Sequence, residues 1–230
     1  LSRLRLKIKQ NNTLALIEKY IEEAAQKLGV SSIEIEDLAV DDFKLKDHQL
    51  IYSFDDYNAS LVLTGIGKSV IKWFKPDGNE QKSVPQLVKD KFAVKLKKLK
   101  AVQKQIDQTT SAQKERFDRM LRSNRVMKLD YFKEKYLKHE LLSFCINKVI
   151  FKFSNENDDV LAIYINKQWI ALDYSNVDIE KYDNVLLWHP VISTTNEVKE
   201  WRKFLMEGEI QQPFKQAFRE IYLLTDAEVN

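Results

Sequence analysis

Cysteine, glycine and proline are scarce in this sequence: one Cys, five Gly and four Pro in 230 residues. A lone cysteine forms no internal disulfide and excludes a cysteine-based metal cluster. Cys145 lies in the apolar run Leu141-Leu142-Ser143-Phe144-Cys145-Ile146, where it reads as a buried, inert thiol in a reducing cytoplasm. The low glycine and proline content, with 44% hydrophobic and 31% charged residues, excludes a low-complexity or disordered chain. Long apolar runs are also missing. The longest, Val160 to Ile165, is strand-sized and far short of the roughly 18 residues that span a bilayer. The start LSRLRLKIKQ lacks the apolar core of a secretion signal, so no membrane association is expected. Histidine is rare too. His48, His139 and His189 share no metal-ligand spacing, and no cofactor or metal is implied.

What is present is a charge imbalance in the middle of the chain. Residues 1–85 hold 12 Lys and Arg against 13 Asp and Glu, residues 86–123 hold 11 against 4, and residues 124–230 hold 14 against 17. The whole net charge of +3 therefore originates in one central segment. Pro85 opens that segment, and apolar residues recur at Val88, Phe92, Leu96, Leu99, Val102, Ile106, Phe117, Met120 and Leu121. The spacing predicts one long helix over 86–122, about 55 Å in length and weakest at Asp107-Gln108-Thr109-Thr110-Ser111.

The flanking segments predict two antiparallel meanders. Ahead of the helix, Leu14 to Leu28 carries an amphipathic stripe closed by Gly29, and Ser31-Ser32-Ile33-Glu34 reads as a capping box. Short runs follow at Phe43-Leu45, Gln49-Phe54, Ala59-Thr64 and Ser69-Phe74, separated by turn residues. Behind it come helices from Leu129 to Leu137 and Glu140 to Asn147. Strands at Val149-Phe153, Val160-Ile165, Trp169-Leu172 and Val185-Trp188 follow, and then a helix from Asn196 or Glu197 to Glu207. Pro213 with Phe214, Ala217, Phe218 and Ile221 at i, i+3, i+4 and i+7 predicts a last helix. The class is α+β, antiparallel β-meanders with segregated helices and one long central helix. The organisation read from composition is 1–85, 86–123 and 124–230, together one domain-sized fragment of a larger protein.

Tested as chemistry, most motifs dissolve. Thr64-Gly65-Ile66-Gly67-Lys68-Ser69 ends like a phosphate-binding loop, yet the position five before Gly67 is Val62, and a strand follows instead of a helix. The glycines fit a hairpin turn. The carboxylates from Glu34 to Asp42 read as a helix start and loop, and those from Glu156 to Asp159 as a solvated hairpin. His189, placed after a strand and before Pro190, is the weak candidate for a general base, with Arg219 and Glu220 as partners in a cleft. Lys89, Lys91, Lys95, Lys97, Lys98, Lys100 and Lys104, opposed only by Asp90, form the strongest anomaly. Such a face tracks phosphates or meets an acidic protein.

The tail from Leu186 to Tyr222 contains Trp188-His189-Pro190, Glu197, Trp201, Gln212-Pro213-Phe214-Lys215-Gln216 and Arg219-Glu220. It resembles the C-terminal domain of unknown function of bacterial molybdate-metabolism-regulator-like proteins, often accompanied by a WGR domain. Asp42-Phe43-Lys44-Leu45, Asp77-Gly78, Lys82-Ser83-Val84-Pro85 and Gln113-Lys114-Glu115-Arg116 extend the resemblance upstream. The chain departs from the pattern at His139-Glu140, where the family has His-Pro, and at Met127, where tryptophan is common. The resemblance implies that Trp188, His189, Pro190, Trp201, Gln212, Pro213, Phe214 and Arg219 are structural. It also implies a longer parent with helical-repeat-like regions upstream, in keeping with a chain that opens on Leu1 and first shows methionine at Met120. The expected function is a non-catalytic cytoplasmic module that binds a protein partner within a larger regulatory protein. Nucleic-acid binding through residues 89–104 stands as the alternative, and an enzyme centred on His189 as a weaker one.

Overall fold

The computed structural model describes residues 11–29 and 31–220. The side chains of Leu14 and Leu28, and Ile221 of the expected last helix, lie outside the described residues. In chain order, helices α1 (Asn11–Leu28) and α2 (Ser32–Leu38) precede strands β1 (Gln49–Phe54), β2 (Tyr57–Gly65), β3 (Lys68–Phe74) and β4 (Glu80–Gln81). Helices α3 (Gln86–Lys91) and α4 (Ala93–Ser123) lead to β5 (Val126–Lys128) and α5 (Leu129–Phe132), which continues as a π-helical turn over Lys133–Leu137. Then follow α6 (Glu140–Ile146), β6 (Ile150–Ser154), β7 (Asp159–Ile165), β8 (Gln168–Ile170), β9 (Asn184–Leu187) and α7 (Thr195–Glu207). The class is α+β, with both sheets antiparallel. The chain forms two compact units, residues 1–113 with 135–145, and residues 114–134 with 146–230.

In the first unit, α1 buries Ile17, Ile21 and Ala25 at every fourth position. The predicted capping box starts α2: Ser31 Oγ accepts from the Glu34 amide at 3.2 Å, and Glu34 returns a carboxylate to the Ser31 amide at 2.7 Å. Phe43-Leu45 is not a strand. Asp41 and Asp42 each accept from the amide two residues on, Phe43 and Lys44, both at 2.8 Å, and these successive Asx turns hold Phe43 and Lys44 at φ 53° and 55°. Local side-chain bonds thus win the backbone from the sheet.

Strands β1, β2 and β3 form the expected meander, with Tyr52 opposite Ala59 and Ala59 opposite Trp73. One face is apolar and buried at Phe54, Ala59, Leu61, Leu63 and Trp73. The long helix breaks at Phe92 (φ −122°, ψ 29°), not near Thr109-Thr110, where α4 is continuous. The Phe92 ring packs against Phe54 at 5.9 Å, and Phe92 N bonds Val88 O while Leu96 N bonds Phe92 O, so aromatic packing holds the residue at the break between the two helices. The helically weak stretch is secured by the β2–β3 turn. Gly67 N donates to Thr110 Oγ1 at 2.9 Å, Ser69 Oγ donates to Asp107 Oδ1 at 2.7 Å, and Gln103 Nε2 donates to Ser69 O at 3.0 Å. Gly67 has φ +71°, and a Cβ there would meet Ser111 Oγ at 2.5 Å. The "phosphate-loop" glycine is a close-approach glycine in a hairpin turn.

The second unit is built on a five-stranded sheet ordered β5-β9-β6-β7-β8. Ile150 pairs with Ile163 and Phe151 with Ala162, so alternate residues feed opposite faces. One face carries Ile150, Ile163 and Trp188, covered by Val198, Trp201, Phe204 and Leu205 of α7. The other carries Phe151, Phe153 and Trp169, whose rings meet Phe132 of α5 at 5.0–6.4 Å. β5, three residues long, was too short to show a strand period in the sequence.

The predicted last helix does not form. Among the described residues, 211–220 are turns and irregular chain, tied down by side chains rather than by a helical ladder. Gln216, 1% exposed, accepts from Ile150 N at 2.9 Å and Gln212 Nε2 at 2.8 Å, and donates to Ile150 O at 2.7 Å and Trp188 O at 2.8 Å. Gln212 Oε1 accepts from Ala217 N at 3.0 Å, and Arg202 donates to Ala217 O and Arg219 O at 2.8 and 2.9 Å. The apolar spacing was real, since Phe214 and Ala217 are buried, yet these bonds outweigh the i→i−4 pattern.

Two stability tests follow. Gln216→Leu strands Ile150 N and Trp188 O and should cost about 3 kcal/mol in urea unfolding; a loss under about 0.5 kcal/mol would remove the clamp from the account. Gly67→Ala should cost at least about 1 kcal/mol from the left-handed backbone alone, more than Gly65→Ala, whose added Cβ meets its nearest atom at 3.9 Å. Adding Ser111→Ala should recover part of the Gly67→Ala loss, and no recovery would locate the penalty in the backbone alone.

Candidate functional site

The seven lysines of the central segment are all solvent-exposed in the first unit. On α4, Lys97, Lys100 and Lys104 follow at i, i+3 and i+7, a single stripe opposite the buried Leu99 and Ile106. Lys95 is committed elsewhere: its ammonium bonds Ser53 O at 2.5 Å and lies 5.0 Å from the Phe54 ring centre. Among the described residues, Lys89, Lys91, Lys97, Lys98, Lys100 and Lys104 make no ion pair or hydrogen bond. Nearby carboxylates are engaged: Asp90 accepts from Gln86 at 2.9 Å, and Asp107 holds Ser69. Outside this segment the described lysines are mixed: some, such as Lys44, Lys68 and Lys199, also make no ion pair, and others are held by carboxylates. Lys72, Lys133, Lys152 and Lys215 pair with Glu80, Glu180, Asp159 and Glu220 at 3.6, 2.6, 2.7 and 2.6 Å.

The His189 group lies in the second unit. His189 Nδ1 accepts from Val191 N at 3.0 Å, capping the 3-10 turn Pro190–Ile192 and leaving the neutral ring's proton on Nε2. Burial, and secondarily the Arg219 guanidinium, lower its pKa below the ordinary 6.5, while Asp118 pulls in the opposite direction. Arg219 bonds the Asp118 carboxylate. Glu220 is directed elsewhere, bonded to Lys215 at 2.6 Å, and that ammonium holds its pKa down. The sequence missed Asp118, which lies 101 residues from Arg219 and carries no motif.

The remaining tail residues form the fabric around this group. Trp188 Nε1 donates to Ser193 Oγ at 2.8 Å, and the Trp188 and Trp201 rings lie 6.3 Å apart. Pro190 is buried, Gln212 takes part in the Gln216 network, and Phe214, after Pro213, stacks on Phe117 at 5.9 Å.

A Ser-His-Glu grouping that the sequence did not reveal occurs in the first unit. His48 Nε2 is 3.1 Å from Ser143 Oγ and 3.9 Å from Glu140 Oε2. An acyl-transfer triad needs serine and carboxylate on different ring nitrogens. Here both face Nε2, and Ser143 Oγ also donates to Glu140 O at 3.1 Å. His48, expected to be solvated, thereby ties the turn before β1 to α6. His139 bridges similarly, with Nε2 3.2 Å from Val40 O and Nδ1 accepting from Leu142 N. Cys145 is buried.

Among the described residues, no group of three His, Cys, Asp or Glu is placed to hold a metal, and no helix is long and apolar enough to cross a membrane. Two surface hollows open in the second unit. One, about 500 Å³, is lined by Asp159, Asp173, Asp178, Glu197, Tyr182 and Trp201 among others; burial first, and then the charges of Asp158, Asp159 and Asp178, raise the Tyr182 pKa. The other, about 460 Å³, is rimmed with cations from α4.

A family model described as a domain of unknown function (DUF4132) matches residues 78–230, and the chain belongs to that family. No curated protein and no solved structure matches it. The matched stretch contains α4, the whole second sheet and the Gln216 clamp, and leaves out β1, β2 and β3.

An NMR pH titration should find His189 with a pKa below 6.5, raised in Arg219→Gln and lowered further in Asp118→Asn. Because folding favours the neutral ring, this group's contribution to stability is complete above about pH 6.5 and is lost as pH falls through the folded value. A His189 pKa above 6.5 would contradict the assigned environment.

Proposed function

We propose that this DUF4132 chain is a non-catalytic protein-interaction module that docks an acidic protein partner on the lysine stripe of α4. One observation carries the reading: Lys97, Lys100 and Lys104 stand unpaired and exposed on one face of α4, and residues 91–106 contain no carboxylate to neutralise them. An unneutralised stripe of one sign steers and orients a partner of the other sign. Val94, 73% exposed, and Ala101, also exposed, sit i and i+7 beside the stripe and add the apolar contact that a protein surface uses. The commitment of His189 Nδ1 to a backbone cap and of Glu220 to Lys215 supports the non-catalytic part. The resemblance to molybdate-metabolism-regulator-like proteins supports a regulatory setting in a larger bacterial, cytoplasmic protein.

A second reading is favoured by the same spacing. Cations at i, i+3 and i+7 also follow a phosphate backbone, although no aromatic side chain lies on that face to stack a base. A pull-down with the wild type and with Lys97→Glu/Lys100→Glu/Lys104→Glu, each with and without nuclease, separates the two. Partners that survive nuclease and are lost from the variant are expected. Loss with nuclease would pass the stripe to nucleic acid, and retention by the variant would sink both. Substrate turnover abolished by His189→Ala would overturn the non-catalytic part.

A further inference from the structure

The exposed side of α4 carries a seven-residue repeat that narrows the kind of acidic partner proposed above. Val94, Ala101 and Gln108 follow one another at intervals of seven, and Lys97, Lys104 and Ser111 stand three residues behind each of them; all six are exposed. Leu99, Ile106 and Gln113 occupy the opposite position of the same repeat and are buried, so the seam faces directly away from the core. Lys98 and Lys100 lie on its two margins. The seam is wholly within the continuous part of the helix and within the first unit. From Val94 to Ser111 it runs about 26 Å. Positions repeated at three and four residues in this way are how one helix receives another along its length.

The composition of the seam selects its occupant. Ala101, at its centre, is small enough to let a second backbone approach closely, and exposed Val94 offers an apolar contact beside it. Among the described residues Lys97 and Lys104 have no ion pair or hydrogen bond, so a visiting side chain meets both ammonium groups directly. A second copy of this chain would set lysines against lysines, a like-charge contact that disfavours self-pairing. Lys98 and Lys100 repeat the sign at the marginal positions that set partner choice in paired helices. A phosphate backbone would use the same cations. It would make no use of the small and apolar positions, Ala101 and Val94, that alternate with them.

Resting on the acidic-partner reading, we propose that the partner docks an α-helix lengthwise along Val94–Ser111, with carboxylates against Lys97 and Lys104 and a larger apolar side chain over Ala101. Fluorescence anisotropy with the 230-residue chain and two labelled peptides of three heptads tests it. Both peptides contain the same Leu, Glu and Ala residues and are matched in helicity by circular dichroism; one has Leu and Glu in heptad register and the other has them shuffled. The heptad peptide should bind one per chain, at least about tenfold tighter than the shuffled one. Lys97→Glu/Lys104→Glu should weaken it at least about tenfold. Ala101→Arg separates packing from charge. A purely electrostatic complex tightens with the added cation, whereas a packed helix is held off by the longer side chain and should bind at least about fivefold more weakly. All three positions are exposed, and circular dichroism verifies the fold of each variant. Equal affinity for the two peptides, or tightening in Ala101→Arg, would overturn the packed helix; loss of both peptides in the double variant would then leave the acidic-partner reading standing. Binding of neither peptide would also overturn it, and the pull-down would decide the wider reading. An oligonucleotide duplex bound about tenfold tighter than the heptad peptide and lost in the same double variant would pass the seam to nucleic acid and sink both.

Discussion

The carboxamide of Gln216 is the joint on which the second unit depends. Past the bond from Trp188 N to Ile150 O, β6 and β9 part, and polar backbone would be left inside an aromatic core. A buried peptide group without a partner costs about as much as several favourable contacts return. Gln216 fills that gap with both donors and both acceptor positions in use, the full capacity of an amide side chain. Its orientation is dictated by its neighbours, because Ile150 N can only donate and the Ile150 and Trp188 carbonyls can only accept. Gln212 and Arg202 then brace the segment from either side through Ala217 and Arg219.

That joint explains why aromatic residues crowd the unit. Fixing the ends of β6 and β9 presents Trp188 to Trp201 on one face, while Phe151 and Phe153 meet Phe132 and Trp169 on the other. The same fixation delivers Phe214 to Phe117 and Arg219 to Asp118, so the tail carries its charges to α4 as a consequence of its backbone anchoring. His189 belongs to this arrangement. Its Nδ1 begins the turn that positions Ser193 for the Trp188 indole, and the ring near Arg219 stays neutral because protonation there would add a second cation to a partly buried place.

Elements governed by local pattern were legible in the sequence. β1, β3 and β7 fall within a residue of their expected limits, as does the start of α7, because alternation, a Ser-Ile-Glu box or a Thr cap acts over three to six residues. What resisted was everything decided by side chains bonding to backbone. Phe43-Leu45 alternates like a strand, and Asp41 and Asp42 turn it. Phe214, Ala217 and Phe218 have helical spacing, and a glutamine reaching Ile150, 66 residues away, decides otherwise. The lysine stripe was readable because exposure on a long helix follows from its period alone. The hollow at the end of α4 was not, since Lys215 joins Arg119 and Arg122 there only when the clamp has formed.

Charge on this chain is unevenly distributed. Some cations are held in pairs: Lys133 with Glu180, Lys152 with Asp159 and Arg219 with Asp118. Exposed pairs of this kind contribute well under about 1 kcal/mol each, so they orient segments more than they stabilise them. On α4 the carboxylates are withdrawn from residues 91–106, although a salt-bridged helix at i, i+4 would gain a few tenths of a kcal/mol per pair. Forgoing that gain leaves a face that repels itself and is relieved only by an external anion. The cost in stability is small and the bias toward binding accumulates with every lysine, which is the physical reason to look for function on this helix rather than at the well-satisfied His189.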